Sequence, residues 1–174
     1  AIVATNHTVD DDADCSADVY LAIDDEYIYF AFDVTDDVID TTNTSSWLKD
    51  SPDLYLGLYN WHGAPNNGYA PEDLHFRFLP TFGMLDNQGG ASVTEAANYH
   101  WATKFPTGYI IEGKTALADI ADVTGADIFV PENGMRIPFD VSLNDADDGA
   151  GTREGILAWS PHNDDLSYTS PKYW

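Results

Sequence analysis

A single cysteine, Cys15, excludes an intrachain disulfide, so the fold has to rest on its core. At the start of a strand such a cysteine reads as a small buried apolar residue. Basic residues are also scarce: seven Lys and Arg stand against thirty Asp and Glu, for a net charge of -23. That field repels phosphate backbones and anionic membrane surfaces, which argues against nucleic acid as a partner. No run is long and apolar enough to span a bilayer and no signal peptide stands at the N-terminus, so membrane insertion is not expected. Also lacking are a Gly-x-Ser-x-Gly elbow, a glycine-rich phosphate loop, paired cysteines for zinc and a His-Glu-x-x-His helix. A carboxylate pair for glycoside hydrolysis is defined by separation in space, and in a chain this rich in Asp its possible presence says nothing. The expectation is a binding protein and not an enzyme.

What the chain has is 44% hydrophobic and 13% aromatic content, enough for one globular domain over residues 1–174. A start without Met and an end on Trp174 read as a module excised from a larger protein. Period-2 alternation predicts a hairpin: Asp18 to Ile23 with Val19, Leu21 and Ile23 inward, a turn at Asp24-Asp25-Glu26, then Tyr27 to Val34 with Ile28, Phe30, Phe32 and Val34 inward. The stretch Ser46 to Tyr59 reads as a turn through Pro52 followed by a strand with Leu54, Leu56 and Leu58 on its core face. A loop over 61–71 leads to a strand Asp73 to Leu79, which places His75 and Arg77 opposite Asp53 and Tyr55 if the two strands pair antiparallel. Residues 80–90 read as a loop, 92–104 as ambiguous, Tyr109 to Thr115 as a strand and Ala116 to Val123 as one short helical turn. Strands Met135 to Leu143 and Glu154 to Trp159 close the chain. The fold class is all-β, an antiparallel β-sandwich with at most one short helix.

Two groups of residues carry candidate chemistry. The first is a binding surface: Trp47 and Tyr168 follow polar turns and are placed to stay exposed, whereas Trp101 and Trp159 are assigned to the core or its margin. Asp53 lies on the non-core face beside Trp47, and Arg77 and Arg153 offer planar forks to hydroxyl pairs or a carboxylate, or else neutralise nearby Asp. Two aromatic plates facing each other would sandwich a sugar ring, whose faces are C–H and whose rim is hydroxyl. The second group is the Asp-rich loops, with Asp36 and Asp37 in one and Asp145 and Asp147 in another. These read as turn chemistry and a solvated surface, or as ligands for a hard cation such as calcium; none follows the EF-hand pattern.

The run Asp24-Asp25-Glu26-Tyr27-Ile28-Tyr29-Phe30, the stretch Trp47-x-x-Asp50-Ser51-x-Asp53-Leu54-Tyr55-Leu56, His75-Phe76-Arg77, Gly108-Tyr109-Ile110-Ile111-Glu112, Asn144-Asp145 and Arg153 to Ser160 together resemble the family 9 carbohydrate-binding modules, over nearly the whole chain and in order. The resemblance implies an immunoglobulin-like, DOMON-like β-sandwich, tethered in a secreted polysaccharide-degrading enzyme, with structural calcium. It implies binding of mono-, oligo- or polysaccharide, at a reducing end or terminal sugar, outside the cell or at its surface. In the family, positions matching Trp47 and Tyr168 form the two walls, Tyr168 standing where a tryptophan is usual. Asp53 stands for the usual Glu, His75 for a Gln, and Arg77 and Arg153 match the basic residues. A haem-binding relative on the same sandwich would need an axial ligand such as Met84 or Met135, and a structural or interaction domain of a large surface protein would keep the fold without the ligand.

Overall fold

The strands marked by the strongest alternation form the centre of two antiparallel sheets. The computed structural model describes residues 1–147 and 151–174. In chain order the elements are β1 (Ile2–Val3), β2 (Cys15–Ile23), β3 (Tyr27–Asp36), β4 (Ser51–Gly57), β5 (Asp73–Leu79), β6 (Phe82–Leu85), β7 (Ala91–Ser92), β8 (Tyr99–Thr103), β9 (Tyr109–Ala116), α1 (Leu117–Thr124), β10 (Phe139–Asp145) and β11 (Gly155–Ala158). One sheet has seven strands in the order β1-β11-β10-β4-β5-β6-β7, and the other has four in the order β2-β3-β9-β8. Their inner faces meet in one core, where Phe30 and Phe32 of β3 reach Phe78 of β5 at ring-centroid distances of 4.4 and 5.1 Å. This is the expected sandwich, with α1 the one α-helix among the described residues. α1 buries Leu117 and Ile120 and ends at Gly125, whose φ of 73° admits the left-handed cap in which its N–H donates to the Ala121 carbonyl.

The register between β4 and β5 is the one the shared core face demands: Leu54 lies opposite Phe76 and Leu56 opposite Leu74, which sets Asp53 against Arg77 and Tyr55 against His75. The other face of these strands would be solvated in a plain sandwich, yet β4 and β5 are buried at every position. The segment 160–174 folds across that face, with Trp174 at 6.0 Å from Tyr55 and Tyr69 donating to the Ser167 carbonyl at 2.9 Å. The covered outer face supports the candidate site.

Several expectations need correction. Pro52 is no turn residue: β4 starts at Ser51 and Pro52 pairs with Leu143 inside the ladder. Residues 80–90 hold β6 and a 3-10 turn, because Phe82, Met84 and Leu85 have a sheet edge to join. The last long strand begins at Phe139, since Pro138 has no N–H to donate to a ladder. Val19, Leu21 and Ile23 are only partly covered, because β2 is an edge strand. Ile2 and Val3, for which no strand is read from the sequence, form β1 against β11. Trp159 is 64% exposed, so it belongs to no core, whereas Trp101 stacks on buried Tyr109 at 5.6 Å. Met84 is buried on β6 and Met135 packs against the core, each as an apolar side chain. In the predicted loop between Asn144 and Arg153, residues 148–150 lie outside the described residues.

Candidate functional site

Asp53 and Arg77 lie opposite each other on the outer face, and the guanidinium engages the carboxylate in a fork: Nε donates to Oδ1 and Nη2 to Oδ2, both at 2.8 Å. Burial by itself would raise the Asp53 carboxyl, but the Arg77 and His75 charges outweigh it and hold the group well below the usual carboxylate range. Arg77 Nη1 donates onward to Ser46 Oγ and Asp86 Oδ1, each at 3.2 Å. Arg153 closes the network from the far side, donating to Asn144 Oδ1 and Asp165 Oδ2 at 2.7 Å each, while Asn144 Nδ2 donates to Asp53 Oδ2 at 3.2 Å. A chain of charge-assisted bonds thus runs Asp86, Arg77, Asp53, Asn144, Arg153, Asp165, which fixes each donor and acceptor before any ligand arrives.

This network floors a pocket of about 420 Å³ lined by Trp47, Asp53, Arg77, Arg153 and Tyr168, and also by Tyr55, Asp86 and Asp165. Trp47 sits on a 3-10 turn over 46–48 just before β4, and Tyr168 on the segment that crosses the sheet. Both stay about half exposed, at 49% and 53%, as their placement after polar turns predicts. Five of the six binding residues read from the sequence therefore meet in one pocket. The sixth, His75, does not line it. Its ring is buried behind Asp53 and stacks on Tyr55 at 4.4 Å, with Nε2 3.4 Å from Asp53 Oδ2 and Nδ1 3.6 Å from Asp86 Oδ2. The Arg77 fork, read from the sequence either as open to a ligand or as neutralising a nearby Asp, is spent on Asp53, which makes Arg77 the holder of that carboxylate as well as part of the wall.

Asp140 is the residue that sequence reasoning missed most completely. It is fully buried on β10, and its carboxylate accepts from Ser160 N at 2.8 Å, Asn163 Nδ2 at 2.7 Å and Ser167 Oγ at 2.8 Å. One side chain thereby anchors the segment that presents Tyr168. Burial raises this carboxyl and its hydrogen bonds lower it, with a net upward shift.

The second candidate group also converges. Asp36, Asp50 and Asp145 are buried, with carboxylate oxygens within 4.8 Å of one another, and Asp14, Asp37 and Asp147 adjoin them in overlapping sets. Burial first, and then like charge, pushes Asp36 up to about 8, Asp50 to about 9, Asp145 to about 7 and Asp147 to about 6. Among the described residues, Asp36 Oδ1, both oxygens of Asp145, Asp147 Oδ1 and Glu154 Oε2 are buried without a hydrogen-bond donor. A Cβ on Gly155 would stand 2.3 Å from Asp145 Oδ2 and 2.8 Å from the Thr8 carbonyl, so glycine is what lets that carboxylate turn inward. Hard oxygen donors at this density suit a divalent cation such as calcium, and the residues present fit one. Asp14, Asp50 and Glu154 join the four acidic positions read from the sequence only because the fold brings residues 14, 36–37, 50, 145, 147 and 154 together.

A preformed pocket with two aromatic plates over a tied set of carboxylates and guanidinium groups, on the face of a β-sandwich, is the build of a ligand-binding module. The chain belongs to the carbohydrate family 9 binding domain-like family, whose model matches residues 2–174. It is similar to two structures of a carbohydrate binding module family 9 from Caldicellulosiruptor kristjanssonii. The one in complex with cellotriose is 22% identical, with a TM-score of 0.70 over 99% of this chain and 77% of that one. The one in complex with glucose is 21% identical, with a TM-score of 0.69 over 99% of this chain and 80% of that one. It is also 27% identical over 146 residues to endo-1,4-beta-xylanase A of Thermotoga neapolitana, covering 83% of this chain and 12% of the enzyme. The chain thus spans about an eighth of the length of that relative.

Proposed function

We propose that this module binds carbohydrate without catalysis, taking a terminal pyranose between Trp47 and Tyr168. The observation that carries the reading is the placement of these two half-exposed aromatic side chains in one pocket with Asp53, Arg77 and Arg153. The apolar C–H faces of the ring lie against the plates, while its hydroxyls exchange hydrogen bonds with the carboxylates of Asp53, Asp86 and Asp165 and with Arg153. Family membership and the sugars bound by the Caldicellulosiruptor structures support glucose-type sugars as the class. A site for a single sugar buries little area, so the dissociation constant is on the order of micromolar to millimolar.

In the same reading the module is tethered to a polysaccharide-degrading enzyme that works outside the cell, as its likeness to part of a xylanase supports, and tethering raises the effective sugar concentration at the site. A calcium ion held by Asp36, Asp50, Asp145 and Asp147 pins the loops that begin β4 and end β10, next to the pocket floor. Calorimetry against a panel of mono- and disaccharides tests the whole: heat with glucose or cellobiose is expected. Silence with every sugar leaves a structural domain that has kept the fold.

A further inference from the structure

Two of the three arginines are committed to carboxylates, Arg77 to Asp53 and Asp86, and Arg153 to Asp165. Arg136 is different: among the described residues no carboxylate pairs with its guanidinium, although the chain carries thirty Asp and Glu. It lines a second concavity of about 330 Å³ with Tyr59, Trp61, Pro138, Pro171 and Trp174. Gly57 helps to form this wall, since a Cβ there would stand 2.6 Å from the Tyr59 ring and 2.7 Å from Pro138. The strand-like pairing that runs on past β4 holds the place of Arg136, with Trp61 N donating to its carbonyl at 2.7 Å and its own N–H reaching Asn60 Oδ1 at 3.1 Å. Trp174 is fixed by its indole N–H to the Ser167 carbonyl at 3.1 Å. The Tyr55–Trp174 contact at 6.0 Å lies between the two sites, with Tyr55 in the pocket and Trp174 in the groove.

We infer that this groove is a second carbohydrate site, selective for a sugar that carries a carboxylate, such as a uronic acid residue of an acidic polysaccharide. A guanidinium with free donors takes a carboxylate in a two-bond fork, and the aromatic and proline walls accept the C–H faces of the same ring. The pocket makes the opposite choice, because its arginines already face Asp53, Asp86 and Asp165 and leave a uronate no uncommitted cation among the described lining residues. The net charge of the chain opposes any anion at long range, but at 0.15 M salt charges beyond about 8 Å are largely screened and the local pairing decides. The inference extends the carbohydrate reading and does not depend on the pocket being functional.

The test is a heteronuclear NMR titration of the wild-type module with methyl β-glucuronoside at 0.15 M salt, with saturating glucose present to occupy the pocket. Shifts are expected at Tyr59, Trp61, the Arg136 side chain and the Trp174 indole, with a much weaker response to methyl β-glucoside. Arg136→Gln should weaken the glucuronoside about tenfold, as loss of a charge-assisted pair implies, while the response of Trp47 and Tyr168 to glucose stays unchanged and reports an intact fold. An equal response to glucoside, shifts confined to Trp47 and Tyr168, or no shift at all overturns the inference. A glucuronoside response without any glucose response would keep this site and overturn the pocket.

Discussion

Asp53 and Arg77 face each other across β4 and β5 and are locked by two parallel hydrogen bonds of 2.8 Å, both side chains almost fully buried. An exposed ion pair contributes little to stability, but breaking a buried one strands a charge. Arg77→Met should therefore destabilise the module by about 3–5 kcal/mol, read as a lower urea midpoint. Asp53→Asn, which leaves Arg77 its Asp86 partner, should cost less and act mainly on ligand affinity.

The same pair sets an acid limit. The aspartate carboxyl titrates near ~3.9 in an unfolded chain, and in the fold it is depressed by Arg77 and His75 against the opposing effect of burial. Its contribution to stability is therefore complete above about pH 4 and lost as pH falls from there towards the folded value. Between pH 6 and pH 3 the urea midpoint should drop further in the wild type than in Asp53→Asn. An equal drop in both proteins would remove Asp53 as the acid-sensitive group.

Asp140 should matter to binding without touching the ligand. Asp140→Ala leaves the Ser160 N–H, the Asn163 amide and the Ser167 hydroxyl without their acceptor, at a cost of about 2 kcal/mol or more. Faster amide hydrogen exchange is expected across 160–170, together with weaker glucose binding. Unchanged exchange in that segment would show that Tyr168 is held by other contacts.

If calcium occupies the Asp36, Asp50, Asp145 and Asp147 cluster, chelation should lower the melting temperature. At 100-fold excess over its dissociation constant a ligand contributes about 2.7 kcal/mol, which corresponds to about 5–10 °C for a domain of this size. Differential scanning calorimetry with calcium and with chelator makes the comparison, and Asp145→Asn should remove most of the difference. An identical melting temperature in both conditions would show that these carboxylates hold no calcium.

The alternation of Leu54, Leu56 and Leu58 with the run Leu74, Phe76 and Phe78 was enough to read two strands and their register, and through them the Asp53–Arg77 pairing. Trp47 and Tyr168 were legible as exposed because polar turns precede them, and the family pattern joined them into one site. Asp86, Asn144 and Asp165 were not, since nothing local distinguishes one Asp or Asn from another in so acidic a chain and their role arises from contacts across 9 to 91 residues. Asp140 was hidden for the same reason. The burial of the outer sheet face, which moves His75 from the pocket wall to a place behind it, is a consequence of the 160–174 segment and has no period in the sequence.

Isothermal titration calorimetry with glucose on the wild type and on Trp47→Ala tests the central claim most directly. The account predicts a micromolar to millimolar dissociation constant for the wild type and a loss of about tenfold or more in the variant, with an unchanged urea midpoint because Trp47 is half exposed. Equal affinity in the two proteins would contradict a sugar held between Trp47 and Tyr168.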